Sequence, residues 1–166
     1  MWREELFHPL LAHFAVALLP VALIFRLTYM GARKRSGFAF LLPASRLLIV
    51  LGTIAAWAAV FTGGIAEDVV NKVICDPTVT HDHEELADWT AYGATLVALI
   101  ELALWRWNVF FELKWPRLFN GLRALSICVL LATTACLVRT AHLGSTLVYQ
   151  QGAAVYHPTE ECKEFE

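Results

Sequence analysis

The chain has 166 residues, of which 58% are hydrophobic and only 17% charged, with a net charge of −2. Soluble domains are nearer half apolar and a quarter charged, so this composition excludes a disordered chain, a nucleic-acid binder and most soluble enzymes. The apolar residues also lie in long uninterrupted runs, which points to a membrane protein.

Four runs are long enough to cross a bilayer, which takes roughly 20 apolar residues each: about 9–30, 44–66, 86–109 and 121–143. They are continuous and rich in Leu and Ala, so they read as helices rather than strands. The first opens with His8 and His13, carries Arg26 near its end and is followed by the basic residues Arg33, Lys34 and Arg35. Because its basic residues follow the apolar run, it reads as a span and not as a signal peptide. The second begins near Arg46 and repeats small residues every four, at Gly52 and Ala56 and at Ala55, Ala59 and Gly63. A polar segment with Cys75, His81 and His83 leads into the third, which carries Glu101 and ends near Arg106. The fourth is flanked by Lys114, Arg117 and Arg123, contains Cys128 and Cys136, and closes on Arg139 and His142; His157 and Cys162 lie in the tail. No long internal repeat is legible. The expected architecture is all-α: one transmembrane domain over 1–166, a four-helix bundle whose short loops make consecutive helices antiparallel neighbours.

Loop charge sets the expected orientation. Nine of the 13 Lys and Arg residues flank the first and third loops, and 13 of the 15 acids lie on the other side, all but Glu101 and Glu112. Basic loops stay cytoplasmic. Both termini, the second loop and the short tail are therefore expected outside the cytoplasm of a bacterial inner membrane, in contact with the lipid bilayer.

All six histidines fall on that extracytoplasmic side. Ionisable residues at membrane depth are candidates for function, although a helix-end histidine also serves as a plain cap. Helical phase refines the choice. His8, Ala12, Ala15, Leu19, Ala22 and Arg26 form one stripe; His83, Ala87, Thr90, Ala94, Ala98 and Glu101 form a second; Gly121, Ala124, Cys128, Ala132, Ala135, Arg139 and His142 form a third. Small faces let membrane helices pack closely and leave room for a flat cofactor where a histidine ends the stripe. His83 and His142 are thus expected to face the bundle, with His8 or His13 completing a pair; those last two lie about 140° apart and cannot aim at one point. Imidazoles suit haem iron, copper and zinc alike. Arg139, one turn below His142, needs an anion, which haem propionates would supply; Glu67, Asp68 or Asp88 would do the same. His81 and His157, among polar neighbours, read as ordinary surface residues.

At these residues the chain resembles a family of small, uncharacterised bacterial membrane proteins, a domain of unknown function. Its marks are an HPxxVHFP-like opening, a histidine at the start of the third span and a GGxLVYxxGxxV-like close. Here they read His8-Pro9-Leu10-Leu11-Ala12-His13-Phe14, then His83, then a closing segment with Gly144, Leu147, Val148, Tyr149, Gly152 and Val155. Ala15 stands where the family often has Pro, Ser145 replaces the second Gly, and Gln151 stands where a histidine is common. The resemblance implies a four-helix membrane protein and directs attention to His8, His13, His83 and His142. It supplies no activity.

Cys75 and Cys162 lie on the side where disulfides persist and are expected to pair. Glu101 and Arg26 sit at similar depth and are expected to form an intramembrane ion pair. Two functions remain open. One is an electron-transfer subunit binding one or two b-type haems, serving periplasmic or membrane redox subunits or quinone. The other is a non-redox protein that binds copper or zinc or acts as an assembly subunit. A self-contained enzyme is the weakest reading, because no motif around His81-Asp82-His83-Glu84-Glu85 assigns a substrate.

Overall fold

A computed structural model describes residues 6–32 and 35–155. Its helices are α1 (Phe7–Ala32), α2 (Leu41–Val70), α3 (Thr78–Arg106), the short α4 (Asn108–Lys114) and α5 (Pro116–Tyr149). The fold is all-α among the described residues, and α1, α2, α3 and α5 are each long and apolar enough to cross a membrane. Proline marks the helix starts. Pro9 and Pro43 lie in first turns, Pro77 precedes α3 and Pro116 opens α5; there the missing N–H breaks no helical bond. Before α3, the Asp76 carboxylate accepts from the Thr78 N–H at 3.0 Å and from its hydroxyl at 2.6 Å. These bonds hold that carboxyl below the usual carboxylate range. The third helix ends at Arg106, short of the expected boundary at 109, because the backbone leaves helical geometry at Trp107. Beyond α5 the chain turns through Gly152, whose φ of 70° suits a residue without a side chain. That turn sets Ala153 against Val70, Ile74 and Leu147.

The start of α1 meets the end of α2, and the start of α2 meets the later part of α1. The bundle is thus two antiparallel hairpins, α1–α2 and α3–α5, packed on each other. The two hairpins share one register. Buried Ala15, Leu19, Ala22 and Arg26 of α1 recur on α3 as Thr90, Ala94, Val97 and Glu101, each 75 residues on. At a second constant offset, Ser45, Ile49, Gly52, Ala56, Ala59 and Ala66 of α2 recur on α5 as Ser126, Leu130, Thr133, Leu137, Thr140 and Leu147. The steps alternate between three and four residues, with one of seven at the end of α2 and of α5, the spacing of a helix–helix seam. Equivalent positions also touch: Arg26 bonds Glu101, and the His8 ring meets the His83 ring. Contact between equivalent positions is the mark of a two-fold relation, here with its axis along the bundle. No long repeat is legible in the letters of the sequence. The repeat lies in which positions are buried, and few identities carry it.

Small residues set the helix spacing. A side chain on Gly52 would collide with Leu19, and one on Gly93 with Thr133. Thr133 is buried and branched at Cβ, so it cannot swing clear. Gly93→Ala is therefore expected to destabilise the protein by about 1–3 kcal/mol. Thr133→Ala in the same chain should recover most of that loss, as read from thermal unfolding in detergent. Outward, Leu10, Ile24, Leu47, Ile54, Phe61 and Leu99 form an exposed apolar belt, a surface suited to lipid tails.

Candidate functional site

One end of the bundle carries a matched pair of histidines. His8, in the first turn of α1, places Nδ1 2.9 Å from the Ala59 carbonyl of α2. His83, in the second turn of α3, places Nδ1 2.9 Å from the Thr140 carbonyl of α5. A carbonyl only accepts, so Nδ1 carries a proton in both rings, and in the neutral form of an imidazole so bonded the lone pair is on Nε2. The ring centres are 6.0 Å apart and the planes are nearly perpendicular, at 88°. Each ring lies over a glycine one turn beyond its acceptor. A Cβ on Gly63 would sit 3.2 Å from His8 Nδ1, and one on Gly144 would sit 3.1 Å from His83 Cε1. The same unit thus occurs twice: a histidine, a carbonyl on the partner helix, and a glycine four residues on. Both rings are half-buried. Beneath them, Ala15, Ala56 and Ala91 form a cluster of small side chains.

The other candidates lie elsewhere. His13 is exposed and donates back to the Pro9 carbonyl of its own helix. His142 and Arg139 are exposed on α5, and no ion pair of Arg139 occurs among the described residues. The expectation that the third stripe faces the bundle is corrected. Gly121, Ala124, Cys128, Ala132, Ala135, Arg139 and His142 all point outward. The inward seam of α5 instead runs through Ser126, Leu130, Thr133, Leu137, Thr140 and Leu147. Its hydroxyls need no water: Thr140 donates to the Cys136 carbonyl at 3.0 Å and Ser126 to Glu101 at 2.5 Å. Cys75 is exposed, whereas Cys162 and His157 lie outside the described residues, and so does the expected Cys75–Cys162 bridge.

The opposite end of the bundle holds a charged cluster to which every long helix contributes. The Glu101 carboxylate accepts from Arg26, from Arg46 Nε at 3.0 Å and from the Ser126 hydroxyl. Arg26 and Glu101 are buried, with 3% and 2% of their surface exposed. Arg46 and Ser126 are the members that sequence reasoning missed. Arg46 reads as a loop-flanking charge, and Ser126 is hidden beside the more conspicuous small-residue stripe. At 1.5 Å per residue, His8 and Arg26 lie about 27 Å apart along α1, close to the thickness of a bilayer's hydrocarbon core. The two polar layers bracket an apolar middle of Ala22, Ile49, Val97 and Leu130.

Among the described residues, no group of three or more His, Cys, Asp or Glu side chains is placed to hold a metal ion. With that geometry in view, the chain belongs to the family described as predicted membrane protein (DUF2231), whose model matches residues 5–157. No curated protein and no solved structure matches it.

Proposed function

We propose that this protein is a membrane-embedded electron-transfer subunit that holds one b-type haem between His8 and His83. The observation that carries the reading is the pair itself: two imidazoles from different helices, each fixed through Nδ1–H to a carbonyl with Nε2 left to bind a metal. Metal-binding histidines are held in this way, since the second hydrogen bond sets both tautomer and ring orientation. Two imidazoles bound to one ion from opposite sides, at about 2.0–2.1 Å per bond, have ring centres roughly 6 Å apart, which suits the 6.0 Å here. Ligand number favours haem over zinc or copper. A structural zinc site takes four protein ligands and a catalytic one three, whereas haem brings its own equatorial nitrogens and asks only for axial partners. The alanines beneath the rings are packed against one another, and their short side chains are all that a flat group would have to displace. Haem would supply one-electron chemistry there; His8 and His83 would hold it through Nε2, with the Ala59 and Thr140 carbonyls orienting their rings.

The distribution of basic loops supports an inner-membrane protein with the histidine end facing the periplasm. A haem at that level would exchange electrons with a periplasmic redox partner or with quinone near the same surface. Absorption spectra of detergent-purified protein from a haem-replete host, oxidised and then reduced with dithionite, test the reading. A Soret band that shifts on reduction, with an alpha band, is expected. His8→Ala or His83→Ala should abolish or shift it, whereas His13→Ala and His142→Ala should leave it in place. Protein without a haem band, or bands unchanged in both His8→Ala and His83→Ala, would overturn it; a colourless protein that retains copper or zinc would leave the non-redox metal site instead.

A further inference from the structure

The charged cluster at the end opposite the histidines is not balanced. Glu101 is its one acid among the described residues, and it already accepts from Arg26, Arg46 and Ser126. Arg123 of α5 stands within electrostatic reach of Arg26, as Arg46 does, and its guanidinium is steadied over the Phe119 ring at 5.0 Å. Two guanidinium groups thus share one carboxylate and a third, from another helix, stands near them without bonding it; arginine stays charged at any relevant pH. Arg26 Nη1 is buried with no hydrogen-bond partner among the described residues. A buried charged donor left unpaired is costly. Arg46 and Arg123 are both half-buried, so the cluster opens outward through them rather than into the core.

Depth identifies the missing anion. Arg26 lies about 9 Å along α1 from Ala32, and Arg46 about 7 Å along α2 from Leu41, at 1.5 Å per residue. Both helices exceed the roughly 20 residues needed to cross the hydrocarbon. Their ends therefore reach the headgroup layer, and long arginine side chains at this depth extend toward it. Phosphate is the acceptor that layer provides, and planar guanidinium forks match it.

We propose that Arg26, Arg46 and Arg123 form a phosphate site occupied by the headgroup of an anionic phospholipid from the adjoining leaflet. The lipid phosphodiester bonds Arg46 and Arg123 directly and offsets the excess charge beside Arg26. The site is independent of the histidine pair, so it stands whether or not haem binds there.

Native mass spectrometry of the full-length protein in detergent, titrated with phosphatidylglycerol, phosphatidylcholine or inorganic phosphate, tests it. Phosphatidylglycerol should bind at least about tenfold more tightly than phosphatidylcholine, and Arg123→Gln should weaken it by about tenfold. Arg123 makes no bond to Glu101 among those described, so this variant leaves the buried pair intact. Arg117→Gln, an exposed charge near the same end but outside the cluster, should change binding little. Equal binding of the two lipids, or equal losses in Arg117→Gln and Arg123→Gln, would overturn the site. Binding of inorganic phosphate with no preference for phosphatidylglycerol would overturn the assignment to lipid.

Discussion

Glu101→Ala is expected to destabilise the protein by about 3–5 kcal/mol, the cost of leaving a buried charge without its partner. The substitution orphans Arg26, which is 3% exposed, and it removes the acceptor of Arg46 and Ser126. Arg26→Glu should be comparably damaging, since it sets two carboxylates against each other. The two-fold relation makes a sharper prediction for the exchange. Arg26 and Glu101 occupy equivalent positions, and Ser45 stands to α1 as Ser126 stands to α3. With Arg26→Glu and Glu101→Arg together, Ser45 can take the part that Ser126 plays now. The double variant should recover at least half of the stability lost in either single one. Recovery should stay incomplete, because Arg46 has Ile127 as its equivalent and would face an arginine where it now meets a carboxylate. Thermal unfolding followed by circular dichroism in detergent measures all four proteins. A double variant no more stable than the worse single one would mean that the ends of the pair are not interchangeable.

The fold was legible because the bilayer asks a simple question of a sequence. Continuous apolar runs and the placement of Arg and Lys are enough to mark four spans. The inner faces of α1 and α3 were legible too, since a charged residue inside each run, Arg26 or Glu101, anchors the helical phase of its stripe. The inner face of α5 was not. In water, burial separates apolar from polar residues, but in lipid both sides of a helix can be apolar and small. The outward stripe from Gly121 to His142 looks like a packing face, while the true seam includes threonines whose hydroxyls bond within their own helix. The internal repeat escaped for a related reason. His8 with His83, Ser45 with Ser126 and Gly63 with Gly144 are identical, but Ala15 pairs with Thr90, Leu19 with Ala94 and Arg26 with Glu101. The seams keep burial position across the pair of hairpins while residue type and size change, which a search for similar letters does not detect. The meeting of His8 with His83 depends on that hidden register. Sequence alone placed both at one level, and could not choose between them and His13 or His142.

If haem is held between His8 and His83 as proposed, Gly144→Val should weaken its retention by about 10–100-fold, the usual cost of losing the group that orients a metal-binding histidine. The His83 ring lies so close to the α5 backbone that a Cβ at 144 already stands 3.1 Å from Cε1. The added methyls of valine force the ring away, and with it the Nδ1–H bond to the Thr140 carbonyl. Neither the tautomer nor the direction of Nε2 is then held. Gly63→Val should act in the same way on His8 and its bond to Ala59. Gly64→Ala is the control: nothing lies within 4 Å of a Cβ there, although it is the next residue on the same helix. The rate of haem transfer to an excess of apo-globin reports the loss, and circular dichroism shows whether the helices persist. Nitrogen chemical shifts of the imidazoles in haem-free protein give a second readout, because Nδ1–H should dominate in the native chain and lose its advantage in the valine variants. If both valine variants hold haem as firmly as the native protein and keep the Nδ1–H tautomer, the two glycines do not position the rings, and the orienting force must come from within α1 and α3 themselves.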